Sequence, residues 1–254
     1  PVSSQGHLVI FNNFFPISKE INIRTLNIIA HFGSLLAVII YYHKAILKLM
    51  VCIPNILRSD IDKNVSLLIN ITISTLPIFL IGYILMFFLH GDFFNSLKLV
   101  GWTTLIFGIL LLIIDKNCLR IKNTDDLPKT SALLIGLAQC LAIIPGVSRS
   151  GSVITIMRLF GYERIGSAHY SNLLSIPAII GAVGFLFFLD DESKIENIIN
   201  LTNFLIFSLS FLFSIIFISF MISWLKRSSF AIFMYYRIIL GLFVLAVTYS
   251  SYFI

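Results

Sequence analysis

Charge is scarce in this sequence. Asp, Glu, Lys and Arg make up only 12% of its 254 residues, while 58% are hydrophobic and the mean hydropathy is +0.97. That leaves too little polar residue to coat a soluble globule, so the soluble class is excluded and an integral membrane protein is expected. Cysteine is nearly absent. Cys52, Cys118 and Cys140 are odd in number, widely spaced and without a CxxC pair, which excludes a disulfide framework and a zinc site and leaves free thiols. An ordinary beginning is lacking too. Residue 1 is proline, and PVSSQGH runs straight into apolar sequence, which no signal peptide does. We therefore expect the start of the protein to lie upstream of Pro1. The net charge of +6 would suggest nucleic acid in a soluble domain. Here the basic residues occupy short loops between apolar runs, so no nucleic-acid partner is expected and the charges act as orientation signals.

Long apolar runs are what the sequence has in place of charge. Crossing a bilayer core of about 30 Å takes roughly 17–25 helical residues, and runs at 24–42, 65–89, 97–114, 170–189, 203–225 and 230–253 meet that length. Tyr41, Tyr42, Trp102, Trp224, Tyr249 and Tyr252 lie near their ends, where amphipathic rings favour the membrane interface. Pro77 and Pro177 fall inside two of the runs, which membrane helices tolerate. Lys44, Lys48, Arg58 and Lys63, then Lys116, Arg120, Lys122 and Lys129, then Lys226 and Arg227 mark the cytoplasmic connections. HGDFFNS and DDESKIENIIN carry few cations and belong to the opposite side.

Residues 131–169 break the alternation, because the loops on both of its sides are assigned to the cytoplasm. The apolar run SALLIGLAQCLAII is half a crossing long and stops at Pro145 and Gly146; SVITIMRLFGY then leads back. This predicts a re-entrant helical hairpin whose tip is GVSRSG, tolerable at that depth only if it is enclosed by protein or lines a wet cavity. An arginine there, Arg149, is expensive unless something needs it.

VSSQG at residues 2–6 matches VSRSG at 147–151 in Val, Ser and Gly, and GSLLAVII and SNLLSIPAII follow the two copies in turn. Three crossings between the copies would invert the second relative to the first. The expectation is a single all-α polytopic membrane domain, 1–254, made of two inverted-topology repeats (1–114 and 131–254), each a re-entrant hairpin plus three transmembrane helices. The first repeat lacks the helix that precedes the tip in the second, so one further short helix is expected upstream of Pro1, with a polar residue at the place of Gln139.

PVSSQGH, IAHFGSLLAV, QCLAIIPGVSRSGSVIT and YRIILGL together resemble the undecaprenyl-diphosphate phosphatases of the bacitracin-resistance type, over nearly the whole chain. The resemblance implies a multi-pass phosphatase of the bacterial inner (plasma) membrane. Such an enzyme hydrolyses undecaprenyl diphosphate to undecaprenyl phosphate and inorganic phosphate, recycling the carrier for cell-wall peptidoglycan synthesis. It implies a divalent metal, magnesium or calcium, held by two glutamates expected upstream of Pro1 and by no metal ligand of this chain. Carried over residue by residue are Ser3, Ser4 and His7 from the first tip, Gln139 from the second hairpin, and Ser148, Arg149, Ser150 and Thr155 from the second tip. Asn27 and His31 depart from the commonest pattern and receive no role. A homodimer stays open.

The residues support this chemistry independently. A diphosphate inside a membrane needs a cation and several hydrogen-bond donors already aimed at its oxygens. Arg149 offers a planar fork. Ser148, Ser150 and the N–H groups of the turn form a nest for an anion, and Gly146 and Gly151 permit the tight backbone. Ser4 could attack phosphorus with His7 as general base or acid; alternatively a metal-activated water attacks and the serines only position the substrate. Simpler roles exist: helix capping for the serines, helix gluing for Gln139 and Thr155, and a carbonyl or headgroup partner for Arg237 in the last run. His31, His43, His90 and His169 are read as structural. An inverted-repeat transporter or flippase for a phosphorylated lipid or anion is the competing expectation.

Overall fold

The computed structural model describes residues 1–14, 23–57, 62–88, 96–189 and 200–250, and the described residues are helical apart from turns and one isolated bridge between Lys122 and Tyr162. Ten α-helices follow in order: α1 Ser4–Phe14, α2 Ile23–Tyr41, α3 His43–Val51, α4 Lys63–Phe88, α5 Leu97–Asn117, α6 Lys129–Cys140, α7 Arg149–Leu159, α8 Arg164–Leu189, α9 Leu201–Leu225 and α10 Ala231–Ser250. Arg58, HGDFFNS up to Asn95, most of DDESKIENIIN and Tyr252 lie outside the described residues.

Four helices, α4, α5, α9 and α10, are long and apolar enough to cross a membrane, and α2 with α3 makes a fifth span bent by 76° at Tyr42. The chain is therefore a multi-pass helical membrane protein, with four to five such spans among the described residues. The remaining expected run, 170–189, lies within α8. That helix begins at Arg164, six residues before the expected run, and its first half carries Ser167, His169, Ser171, Asn172 and Ser175. Most of that half is buried in protein: Ser167 and Ala168 are wholly enclosed and Tyr170 nearly so. A helix wrapped by other helices need not be greasy, so hydropathy places its start late. Lipid-facing α9 shows the opposite pattern, with Phe204, Leu209, Phe213, Ile216, Phe217 and Phe220 all exposed.

Close helix contacts rest on small residues, as expected where van der Waals packing rather than water drives association. α5 packs along α10, α2 along α9 and α4 along α6. A Cβ on Gly33 would sit 2.4 Å from the Phe207 carbonyl of α9, and one on Gly136 would sit 2.6 Å from the Ser74 carbonyl of α4. Tyr42 does not float at the interface as expected of it; it is buried, and its hydroxyl accepts from Asn172 Nδ2 at 3.0 Å.

The expected cytoplasmic segments gather at one end of the bundle. Glu163 N–H donates to the Lys122 carbonyl at 3.1 Å, Lys63 pairs with Asp125 at 2.8 Å, and Arg164 Nη1 donates to the Ser228 carbonyl at 3.3 Å. Below them, Asp115 at the end of α5 accepts from Arg158 Nε at 2.8 Å and from Arg164 Nε at 2.9 Å. Arg158 also donates to the carbonyls of Cys118, Leu119 and Tyr162. One carboxylate thus ties the end of α5 to the end of α7 and the start of α8, and so holds the foot of the hairpin.

Candidate active site

The hairpin forms as its composition requires. α6 ends in a turn of 3-10 helix, Leu141–Ile143, Pro145 and Gly146 break the chain, and α7 starts at Arg149. Gly146 has φ +91, and a Cβ there would lie 2.1 Å from Thr103 Oγ1 and 2.9 Å from the Val100 carbonyl. Only glycine fits this position, on both backbone and steric grounds. Thr103 of α5 holds the turn by donating to the Pro145 carbonyl at 2.6 Å.

Two serines carry the next step. Ser148, with φ 73, precedes α7; its Oγ accepts from Gly151 N–H at 3.1 Å and its carbonyl from Ser152 N–H at 2.9 Å. Ser3, with φ 72, precedes α1; its Oγ accepts from Gly6 N–H at 3.2 Å and its carbonyl from His7 N–H at 3.2 Å. Among the described residues these are the only non-glycine positions with positive φ. VSSQG and VSRSG therefore share a strained, serine-capped helix start as well as three letters. Each Oγ accepts a helix-start N–H, which leaves each hydroxyl hydrogen able to donate elsewhere, from Ser148 to Ser150 Oγ among other acceptors.

The two starts meet. A Cβ on Gly6 would lie 3.3 Å from Gly146 Cα. Arg237 of α10, fully buried, joins them: its Nη2 donates to the carbonyls of Gly146 at 2.7 Å and Val147 at 3.1 Å, and its Nη1 reaches the Pro1 carbonyl at 3.5 Å. Both Nη groups of Arg237 thus meet carbonyls, one of the two partners expected of it, while its Nε is buried without an acceptor. Among the described residues Arg149 meets no carbonyl in this way. The residue is half-buried, yet its Nη1 is cut off from solvent and has no protein acceptor. A buried guanidinium nitrogen left unpaired is costly.

The remaining expected residues separate into two groups. Ser4 is exposed at the start of α1 and has no protein hydrogen bond among the described residues. His7 sits one turn on; its Nδ1 donates to the Ser3 carbonyl at 2.7 Å, which leaves Nε2 to accept from Tyr236 hydroxyl at 2.7 Å. That bond sets the ring tautomer. Ser150 Oγ lies 3.3 Å from Ser148 Oγ, and Gly151 packs against Arg237, whose Nη1 would lie 2.9 Å from a Cβ there. Gln139 and Thr155 are placed otherwise. Gln139 is wholly buried against α4, donating to the Ser74 carbonyl at 3.2 Å, and Thr155 donates back to the Gly151 carbonyl at 2.6 Å. Both bonds are the helix-gluing and back-bonding roles of such residues. His31 Nδ1 likewise donates to the Asn27 carbonyl at 2.6 Å.

Tyr236, Thr103 and Thr104 were not foreseen. Tyr236 adjoins Arg237, whose charge within an apolar run was the available signal; threonines inside a membrane helix carry none. Among the described residues no group of three or more His, Cys, Asp or Glu side chains comes together, so the tips present no carboxylate cage for a divalent cation.

The apolar helices and the two serine-capped helix starts that meet beside Arg149 and Arg237 define a multi-pass helical membrane protein with a hydroxyl- and guanidinium-bearing junction. Comparison with known proteins narrows the class. Residues 1–243 match the family model described as bacitracin resistance protein BacA, and the chain belongs to that family. Undecaprenyl-diphosphatase 1 of Rhodospirillum rubrum is 35% identical over 98% of this chain and 89% of its own length. Undecaprenyl-diphosphatase of Pelagibacter ubique is 36% identical over 98% and 92%, and undecaprenyl-diphosphatase 4 of Bacillus thuringiensis is 34% identical over 100% and 93%.

Proposed function

We propose that the chain is an undecaprenyl-diphosphatase whose two tips grip the diphosphate of the lipid in the inner membrane of a bacterium. The name shared by the relatives supports the reaction, and the unpaired Nη1 of Arg149 beside the two serine-capped starts carries the assignment of the site. Arg149 with the hydroxyls of Ser3, Ser148 and Ser150 neutralises the phosphate oxygens, and the first-turn N–H groups of α1 and α7 add to them. Two inverted repeats, each one tip and three helices, account for tips of one geometry converging from the two halves of the sequence.

Within this cradle Ser4 is the nucleophile, because Ser3 and Ser148 are engaged in capping and Ser4 is not. Its Oγ attacks the terminal phosphorus. The bond from that phosphorus to the bridging oxygen breaks, and its electron pair leaves with undecaprenyl phosphate. His7 Nε2 accepts the serine proton when it releases Tyr236, and water then cleaves the phosphoserine to inorganic phosphate and free Ser4. Ser4→Ala in the full-length protein is expected to slow phosphate release by about a thousand-fold or more, and rapid quenching of the parent enzyme should trap phosphate on Ser4. A Ser4→Ala enzyme within a few-fold of the parent would assign the attack to water.

Magnesium or calcium is proposed as activator on the family resemblance. Chelation with EDTA should abolish turnover, and back-titration with either ion should restore it. Unchanged activity after chelation would remove the cation from the reaction.

A further inference from the structure

A second anion-attracting feature lies well away from the tips. α7 is 11 residues long, so its far end stands roughly 16 Å from Arg149 at 1.5 Å per residue. Beyond it opens a cavity of about 340 Å³ lined by Arg120, Glu163, Arg164, Leu225, Lys226 and Arg227, among others. Four cations face a single carboxylate there. Arg164 is partly neutralised by Asp115 at 2.8 Å. Arg120, Lys226 and Arg227 are exposed, and among the described residues no carboxylate lies within ion-pair distance of any of them. The start of α8 adds its positive end: Arg164 and Ile165 line the cavity, and the first helical bond of α8 is the one from Ser167 N–H to the Glu163 carbonyl at 2.9 Å.

An exposed aromatic face of α9 ends next to the residues that line the cavity. Phe213, Phe217, Phe220 and Trp224 recur at helical spacing along α9, with Phe213 54%, Phe217 62% and Phe220 47% exposed. The rings fall in two pairs: Phe213 stacks on Phe217 at 6.4 Å, and Phe220 lies 6.1 Å from Trp224. Trp224 Nε1 donates to the Ser229 carbonyl at 3.0 Å, fixing the ring beside Leu225, Lys226 and Arg227. An exposed aromatic face whose last ring adjoins the cavity-lining Leu225 and Lys226 in sequence, beside a basic cavity, suits an acyl chain joined to a phosphate head group, whereas a free phosphate ion would have no use for the rings.

We propose that this cavity binds the phosphate head group of an anionic phospholipid, in the leaflet faced by the Lys- and Arg-rich loops, with an acyl chain along the aromatic face of α9. It is independent of the tips and of the reaction assigned to them. The test is native mass spectrometry of the full-length protein in detergent, titrated with phosphatidylglycerol and, separately, with phosphatidylcholine. Phosphatidylglycerol should occupy one site in preference to phosphatidylcholine, and R120A/K226A/R227A should weaken that occupancy by about ten-fold or more. Glu163→Gln removes the one opposing charge and should tighten it by about three-fold, a gain that misfolding cannot imitate. Equal occupancy by the two lipids, unchanged phosphatidylglycerol binding in the triple variant, or displacement of the lipid by inorganic phosphate alone would each overturn the proposal.

Discussion

Arg149→Ala is expected to lower phosphate release from undecaprenyl diphosphate by about a thousand-fold, in the range seen when a charged group that stabilises a phosphoryl transition state is removed. The size of the effect follows from the surroundings of Nη1, which has neither solvent nor a protein acceptor. A guanidinium in that state pairs with substrate at close to full electrostatic strength, because no water competes. The same fact separates catalysis from folding. Since Nη1 bonds to nothing in the protein, its loss breaks no recorded Nη1 contact and relieves an unpaired donor, so thermal stability should hold or rise while turnover collapses. Arg149→Lys keeps the charge but not the planar fork and should recover only a small part of the rate. Malachite-green phosphate release and a thermal unfolding curve on the same full-length preparations check both halves. Parent-like turnover in Arg149→Ala would remove the cradle.

Most of the architecture was legible because lipid imposes a simple rule on sequence. α2, α4, α5, α9 and α10 begin within two residues of the apolar runs that predicted them, since a lipid-facing helix must be apolar along its length. The half-length run ending at Pro145 could be nothing but an incomplete crossing, and the hairpin is there. α8 was misjudged at its start for the converse reason. In its first two turns Ser167, Ala168, Tyr170 and Ser171 are buried in protein, where enclosure by other helices replaces the need for apolar side chains. The bend at Tyr42 also left no mark: Tyr41 to Lys44 reads as the polar end of a span, and the turn depends on Tyr42 being drawn into the core by Asn172 and stacked edge-on against His169 at 5.4 Å.

The site was legible to the extent that unusual residues announce themselves. Arg149, the serines and the flanking glycines are odd in an apolar context, and the structure places them in one turn. The match of VSSQG to VSRSG gained most from coordinates. Three shared letters became two serines at φ 72 and 73 with the same pair of hydrogen bonds. Gln139 and Thr155 looked equally polar in the sequence, but composition cannot say which way a helix turns its polar residue, and both are engaged within the helical frame. Arg237 was noticed for its charge, but joining the two tips takes three carbonyls, those of Pro1, Gly146 and Val147, that come from the start and the middle of the sequence.

Asp115 gave no signal of its importance, and its removal is the second large effect expected. As one acid at the end of an apolar run it resembled a loop charge, yet it is the sole carboxylate recorded between Arg158, whose side chain is 0% exposed, and Arg164, whose side chain is 13% exposed. Replacing both members of a buried ion pair by apolar residues is often neutral, whereas removing one strands the other and costs about 3–5 kcal/mol. Asp115→Ala should therefore lower the melting temperature by about 10 °C. Arg158 is the charge left stranded, because Arg164 lies nearer solvent and can swing outward while Arg158 cannot. Asp115→Ala combined with Arg158→Met should on that account regain most of the lost stability, whereas Asp115→Ala combined with Arg164→Met should not. Thermal unfolding of the three variants in one detergent decides it: equal melting of the two double variants would show that the foot of the hairpin is held by its carbonyl bonds and not by the buried charge.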